Sequence, residues 1–472
     1  MGGRSARDLS AEILLAWEKT LPERRPSLAS MAEDRIPPGI QERDRGLVRE
    51  IVFGVVRWLP LLDWHVDRYL KKGPDIPLEV RTALRIAAYQ ILFLDRVPPY
   101  AAVNECVAGL GRMGLAWAKG LSNAVLRRLA DRRLTQGMEA ARIPEGLDAL
   151  CPVERLAVLT AHPAWMVKRW VARWGMESAL AILHANNSRA PLVLRVNTLR
   201  ISRARFLERL ASHGLHPVPG MYSRDAVILE GFTGNPSHLP GFRDGLFVVQ
   251  DEGAQLVTFL LDPRPGERIL DACAGLGGKT THIAALMGDE GEVDALDPKA
   301  SRLGLLRKNV ARLGIRSIRI LPPAEVEAFV ASQTVPAYDR ILVDAPCSGL
   351  GVIRRHPDIK WNRDEASLGR MAERQRAILE AAATLIPPGG RIVYATCTIE
   401  PEETSEVIRA FLARYPGWTV VPADEILDSP ARRYATSSGE LQILPAPAGP
   451  DGFFAIHLRR GKRRRIDQPG RL

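Results

Sequence analysis

Apolar residues recur at three- and four-residue intervals in the first part of the chain. Examples are Ile13-Leu14-Ala16-Trp17, Leu47-Ile51-Val55-Trp58, Leu61-Leu62-His65-Val66-Tyr69 and Leu84-Ala87-Ile91-Leu92. That spacing lines one face of a helix each time. Pro- and Gly-containing breaks at 35–39, 71–74 and 97–99 separate the segments. Pro98-Pro99 opens a further helix through Asn104 and Leu110, and Ser122-Asn123 lies in the next. Residues 1–140 are therefore predicted to form an all-α bundle of about six helices.

The pattern then changes. A connecting stretch leads to residues 151–240, where a helix carrying Trp165, Trp170 and Trp174 precedes a strand at Leu192–Asn197. A helix at Ser202–Ser212 and a strand at Ala226–Leu229 follow, which predicts a small α+β module of ferredoxin-like type. The tryptophan spacing is that of core residues. Arg195, Arg200, Arg203 and Arg205 fit either a phosphate-facing or a solvated surface.

From 241 to 460, strands at 269–271, 292–297, 318–321, 340–344 and 391–395 alternate with helical patterns. Such alternation specifies a mostly parallel sheet covered on both faces, an α/β Rossmann-like domain. The closing strand at 452–458 is expected to form an antiparallel edge, and 461–472 a basic tail.

Composition narrows the function. Lys and Arg number 65 against 54 Asp and Glu, a formal charge of +11. That balance fits either a well-solvated surface or a polyanionic partner such as nucleic acid. Cysteines 106, 151, 273, 347 and 397 are odd in number and lack a C-x-x-C pair, which argues against a disulfide framework and a zinc site. No metal is expected. No apolar run approaches the ~20 residues of a membrane span. The first twenty residues read as an amphipathic helix without a signal-peptide core, so a cytoplasmic protein is expected.

Candidate chemistry begins at ERILDACAGLGGKTTHIAALM (267–287), a strand ending in Asp271, a Gly-rich turn and a helix. In a doubly wound sheet this turn faces a ligand. A phosphate-binding loop G-x-x-x-x-G-K-S/T would require Gly where Cys273 stands. A dinucleotide fingerprint from Gly275 would require Gly where Thr280 stands. Asp297 ends the second strand, 26 residues after Asp271. A carboxylate there serves either the ribose hydroxyls of a nucleoside-containing cofactor or the next helix as its N-cap. Without the dinucleotide fingerprint, S-adenosyl-L-methionine is the favoured cofactor. Asp344-Ala345-Pro346-Cys347 and Ala395-Thr396-Cys397 each follow a strand directly. Both cysteines should thus lie at carboxyl strand ends, where a thiolate can attack an electron-poor carbon.

Two resemblances sharpen this reading. ALRIAAYQILFLDRVPPYAAVNECV, KGLSNAVLRRL and RDRGLVREIVFGVVR resemble the helical RNA-binding domain of the NusB antitermination family. DACAGLGGKT, DAPCSGLGVIRRHPDIKW, YATCTIEPEE and DGFF resemble RNA cytosine-C5 methyltransferases that use S-adenosyl-L-methionine. Together, over nearly the whole chain, they resemble the RsmB/Sun/Fmu family acting on bacterial 16S ribosomal RNA.

The resemblance implies Cys397 as nucleophile, Cys347 as the residue assisting product release, and Asp344 as the contact to cytosine N3. Lys279 would border the base and methyl donor. Cofactor contacts would fall on Cys273, Ala274, Gly275, Leu276, Gly277, Gly278, Lys279, Asp297 and Asp344. The chain departs from the family at Gly275-Leu276, where relatives carry Ala-Pro. It departs again after the third strand, where Glu325 stands nearest to an expected Asp. A monomer acting on 16S ribosomal RNA is expected. The alternatives are the same chemistry on transfer RNA or 23S RNA, or a non-catalytic RNA-binding assembly factor.

Overall fold

A computed structural model describes residues 5–70, 76–322 and 338–462. The chain divides into two compact units: Met1–Arg189 with Ile353–Asp364, and Ala190–Val352 with Glu365–Leu472.

The first unit is helical. Its main helices are α1 (Ala6–Lys19), α2 (Leu28–Arg35), α3 (Glu42–Arg57), α4 (Leu59–Asp67), α5 (Leu78–Phe93), α6 (Pro99–Arg112) and α7 (Lys119–Gln136). The short α8 (Met138–Arg142) and then α9 (Pro152–Leu159) and α10 (Ala164–Asn187) follow. Ser5 caps α1 through a reciprocal capping box with Asp8, which satisfies end groups that the helix itself cannot. Ile13, Leu14 and Trp17 on α1 pack with Val48, Ile51, Val52 and Val55 on α3 and with the buried face of α5. Trp170 is fully buried, whereas Trp165 and Trp174 are half-buried, so the core reading of the tryptophans fits best at Trp170.

This unit also takes in a segment from far along the chain. Residues 353–364 contain one helical turn, Ile359–Asn362 (α15), whose Trp361 packs against the helical core. Trp361 Nε1 donates to Val56 O at 2.7 Å and Arg57 donates to Arg354 O at 2.7 Å. The amide of Leu28 donates to Asp358 at 3.2 Å. Lys360, 1% exposed, donates to Arg57 O (2.7 Å), Ala161 O (2.8 Å) and Asn187 Oδ1 (3.3 Å). Burial holds its amine well below the ordinary lysine value.

The second unit carries two sheets. The smaller one joins β1 (Leu192–Val196), β2 (Pro217–Pro219), β3 (Ala226–Leu229) and β4 (Phe247–Val249) in the order β2-β3-β1-β4, all antiparallel. Helix α11 (Arg203–Ala211) buries Phe206 and Leu210 in the core beneath it. The arginines here do not behave as one surface. Arg195 is 2% exposed, so it neither faces solvent nor is free to meet phosphate. Its guanidinium donates to Gln250 at 2.6 Å, to Thr281 at 2.9 Å and to Gly278 O.

The larger sheet contains β5 (Arg268–Asp271), β6 (Glu292–Leu296), β7 (Ile318–Leu321), β8 (Arg340–Asp344), β9 (Arg391–Thr396), β10 (Trp418–Val421), β11 (Leu441–Ile443) and β12 (Phe453–Arg460). Strand order is β10-β12-β9-β8-β5-β6-β7, with β11 also on β12. Strands β5 to β9 are parallel, and β12 runs antiparallel to β9. The closing strand is not an edge: β9 lies on one side of β12, with β10 and β11 on the other. Its residues 453–458 are all buried, which the alternation of a half-exposed edge strand would not give. Helices α12 (Glu252–Leu261), α13 (Gly278–Leu286), α14 (Ala300–Leu313), α16 (Glu365–Thr384) and α17 (Ser405–Arg414) complete the unit. The two larger apolar cores among the described residues of this unit are built around Leu256, Ile283 and Val393 and around Ile341, Leu379 and Tyr394. Among the described residues no helix is long and apolar enough to cross a membrane.

Candidate active site

The strand order reverses between β5 and β8, and there the loops after the parallel strands open a crevice in an α/β sheet. The Gly-rich turn after β5 is closed at its base by one carboxylate. Asp271 Oδ1 accepts from the Cys273 amide at 3.3 Å and Oδ2 from the Thr280 hydroxyl at 2.7 Å. Gly277 adopts φ +84°, and a Cβ there would lie 2.1 Å from Leu306 Cδ1. Only glycine meets both conditions without strain. Gly275 is left-handed as well, and Leu276 is 52% exposed at the tip of the turn.

Lys279 follows on the first turn of α13. Its Nζ donates to Asp344 Oδ2 at 2.6 Å, at the end of β8, and stands 5.1 Å from the ring centre of Phe453. Burial works against the ammonium, but Asp344 outweighs it and holds the lysine above its ordinary value, with Cys397 contributing in the same sense. Cys347 and Cys397 emerge from neighbouring strands with their Sγ atoms 3.1 Å apart. The hydrogen bond to Cys397, reinforced by burial, raises the Cys347 thiol well above its ordinary range. The loops bearing them are tied together. The Gly351 amide donates to Cys397 O at 3.0 Å, and the Ser348 and Thr398 hydroxyls lie 2.9 Å apart. The Gly452 amide in turn donates to Gly351 O at 2.8 Å, where any side chain on Gly351 would strike the Gly452 carbonyl.

Lys279, Asp344, Cys347 and Cys397 thus share one neighbourhood. Asp297 lies on the next strand end, 2% exposed, accepting from the Lys299 amide at 2.8 Å and facing Arg302 at 3.3 Å. Cys273 and Ala274 lie at the start of the turn, where burial raises the Cys273 thiol and disfavours a thiolate. Glu325 lies outside the described residues. Sequence reasoning gave Arg195 a surface role rather than its place behind α13, and it missed Gln250 there and Gln375 and Glu403 behind the cysteine loops. Glu403 fell inside the YATCTIEPEE motif without a role of its own, and Gln375 carries no local signal at all.

The cleft edge suits S-adenosyl-L-methionine. Three carboxylates, Asp271, Asp297 and Asp344, stand at the ends of β5, β6 and β8 around a turn whose glycines let backbone approach a ligand. Carboxyl oxygens at these strand ends suit ribose hydroxyls and a cationic sulfonium. Asp297 and residues 273–279 are the residues at this edge that could hold such a molecule. Among the described residues no group of three or more His, Cys, Asp or Glu could hold a metal.

Fold and site together define an S-adenosyl-L-methionine-dependent methyltransferase. Comparison with known proteins narrows the class. Residues 258–459 match the model for the 16S rRNA methyltransferase RsmB/F, residues 4–131 the NusB family, and residues 162–234 the ferredoxin-like domain of RsmF/B-like methyltransferases. The ribosomal RNA small subunit methyltransferase B of Pseudomonas putida is 40% identical over 89% of this chain and 91% of its own length. That of Sodalis glossinidius is 39% identical over 88% and 89%. The crystal structure of a methyltransferase homolog from Pyrococcus horikoshii covers 66% of this chain and 100% of its own, with 27% identity and a TM-score of 0.56. The chain belongs to the ribosomal RNA small subunit methyltransferase B family.

Proposed function

We propose that the protein methylates C5 of a cytosine in 16S ribosomal RNA, with Cys397 as nucleophile and Cys347 assisting release. The observation that carries the proposal is the pair of strand-end thiols 3.1 Å apart, beside the Lys279–Asp344 pair. Cytosine C5 is a weak nucleophile. Addition of the Cys397 thiolate to C6 forms a carbon–sulfur bond and moves the C5–C6 π pair towards C5 and the ring. Negative charge develops at N3 and is met by a proton that passes from Lys279 Nζ through Asp344 to the ring and returns as the adduct breaks down. When bound, S-adenosyl-L-methionine supplies the methyl group as an electrophile to C5. Loss of the C5 proton then returns its electron pair to the C5–C6 bond, and the carbon–sulfur bond breaks. Overall, a methyl group replaces one hydrogen and one proton is released. A Cys347 thiol held protonated next to Cys397 is suited to hydrogen-bond the departing thiolate. The base must leave its stack to reach such a cleft.

The 16S assignment draws on the names of the relatives and on the NusB-like unit. Incubating unmodified 16S RNA with the protein and S-adenosyl-L-methionine, followed by bisulfite sequencing, tests it. A protected cytosine in 16S RNA is expected. Protection confined to transfer RNA or 23S RNA would move the target, and none on any RNA would favour a non-catalytic assembly factor.

A further inference from the structure

Cys347 is a loop residue, yet its role requires a fixed position against Cys397. A buried polar cluster behind the loop has the geometry to fix it. Gln375 on α16, fully buried, donates from Nε2 to Pro346 O at 3.0 Å and to Glu403 Oε2 at 2.8 Å. The same Glu403 oxygen accepts from the Ser348 amide at 2.8 Å. Pro346 and Ser348 flank Cys347 on either side, so the peptide groups bracketing the thiol are held from behind by one glutamine and one glutamate.

The cluster is anchored in the sheet. The Tyr394 hydroxyl, on β9 three residues before Cys397, donates to Glu403 O at 2.7 Å and lies 3.1 Å from Gln375 Oε1. On the front, the Ser348 hydroxyl meets Thr398 beside the other cysteine. Tyr394, Gln375, Glu403, Ser348 and Thr398 are all 0% exposed. A carboxylate buried so completely is costly unless its hydrogen bonds compensate, and burial duly raises Glu403 above the usual carboxyl range. Apolar side chains would fill the same space at lower cost, so the polar cluster is explained by what it holds.

We infer that Glu403 and Gln375 are positioning residues that clamp the Cys347 loop in the geometry needed for release of the methylated base. The inference rests on the cytosine-C5 reading above, in particular on the release role of Cys347. It separates Glu403 and Gln375 from adduct formation, because their side chains bond the residues on either side of Cys347 and neither neighbour of Cys397.

The test uses the full-length protein turning over 16S RNA, with covalent protein–RNA adduct measured on denaturing gels and its formation timed separately. Glu403→Met and Gln375→Met each remove hydrogen bonds to the loop while keeping side-chain length. Glu403→Gln keeps a carbonyl oxygen able to accept both bonds. In the two methionine variants, adduct should form within about threefold of the wild-type rate and persist about tenfold longer, the rate equivalent of one lost buried hydrogen bond. Glu403→Gln should release like wild type. Cys347→Ala serves as the reference for a trapped adduct.

If Cys347→Ala traps no adduct, the release reading itself fails. If it traps adduct while both methionine variants release normally, the clamp is overturned and the reading stands. Trapping by Glu403→Gln as strong as by Glu403→Met would assign the role to the carboxylate's charge or proton, against positioning. Loss of formation, release and methyl-donor binding together in both methionine variants would show a merely structural role and also overturn the clamp.

Discussion

Asp271 closes the cofactor turn with 1% of its surface exposed, and burial, with Asp344 adding to it, raises its carboxyl to about 7. An unfolded aspartate titrates near 3.9. Between the two values the native state keeps a proton that the unfolded state has lost. Stability is therefore greatest in acid and falls as pH rises towards the folded value. Roughly three pH units at about 1.36 kcal/mol each give a total loss of about 4 kcal/mol, of which about 2.5 kcal/mol falls between pH 5 and pH 8. Asp271→Asn removes the titration. It keeps an acceptor for the Cys273 amide, and the Thr280 hydroxyl can turn to accept instead of donate. Native-state hydrogen exchange of peptides spanning β5 and α13, corrected for intrinsic rates, measures local opening in both proteins. Taking the difference between variant and wild type cancels the other titrating groups. The variant should gain about 2.5 kcal/mol relative to wild type from pH 5 to pH 8. A difference that stays constant across that range would refute the assignment of a raised carboxyl to Asp271.

Other perturbations probe separate parts of the account. Gly277→Ala places a Cβ at positive φ and against Leu306, and should cost about 2 kcal/mol or more and weaken methyl-donor binding by calorimetry. Lys279→Met leaves Asp344 without its cation and should slow adduct formation about a hundredfold in a gel assay, with the fold retained by circular dichroism. Lys360→Met strands two backbone carbonyls inside the helical unit and should destabilise it by about 3 kcal/mol, read by denaturant unfolding followed through tryptophan fluorescence.

What could be read from the sequence follows from locality. Strands β3, β7 and β8 appear at the residues their apolar runs predict, and the cysteines follow strands within a few positions, so their place at the sheet edge needed no long-range information. Gln375 lies midway along a helix whose pattern is merely amphipathic, 29 residues from the loop carbonyl it holds. Arg195 looked like a surface charge because nothing nearby in sequence reveals Gln250 or Thr281 as partners. The RRHPDIKW run is legible as a family motif, but its burial in the helical unit depends on partners some 170 to 330 residues away. The closing strand shows the same limit: FFAIHL, apolar but for His457, fits burial on both faces, and pairing with β10 and β11 is set by the turn of the chain at 418–443.

In the proposed reaction Cys397 carries the covalent chemistry and Cys347 does not. Trapping with 16S RNA containing 5-fluorocytosine blocks loss of the C5 substituent and leaves the nucleophile bonded to the base. Peptide mass spectrometry of the trapped complex should place the nucleotide on Cys397. A nucleotide on Cys347, or continued methylation of ordinary RNA by Cys397→Ala, would contradict the account.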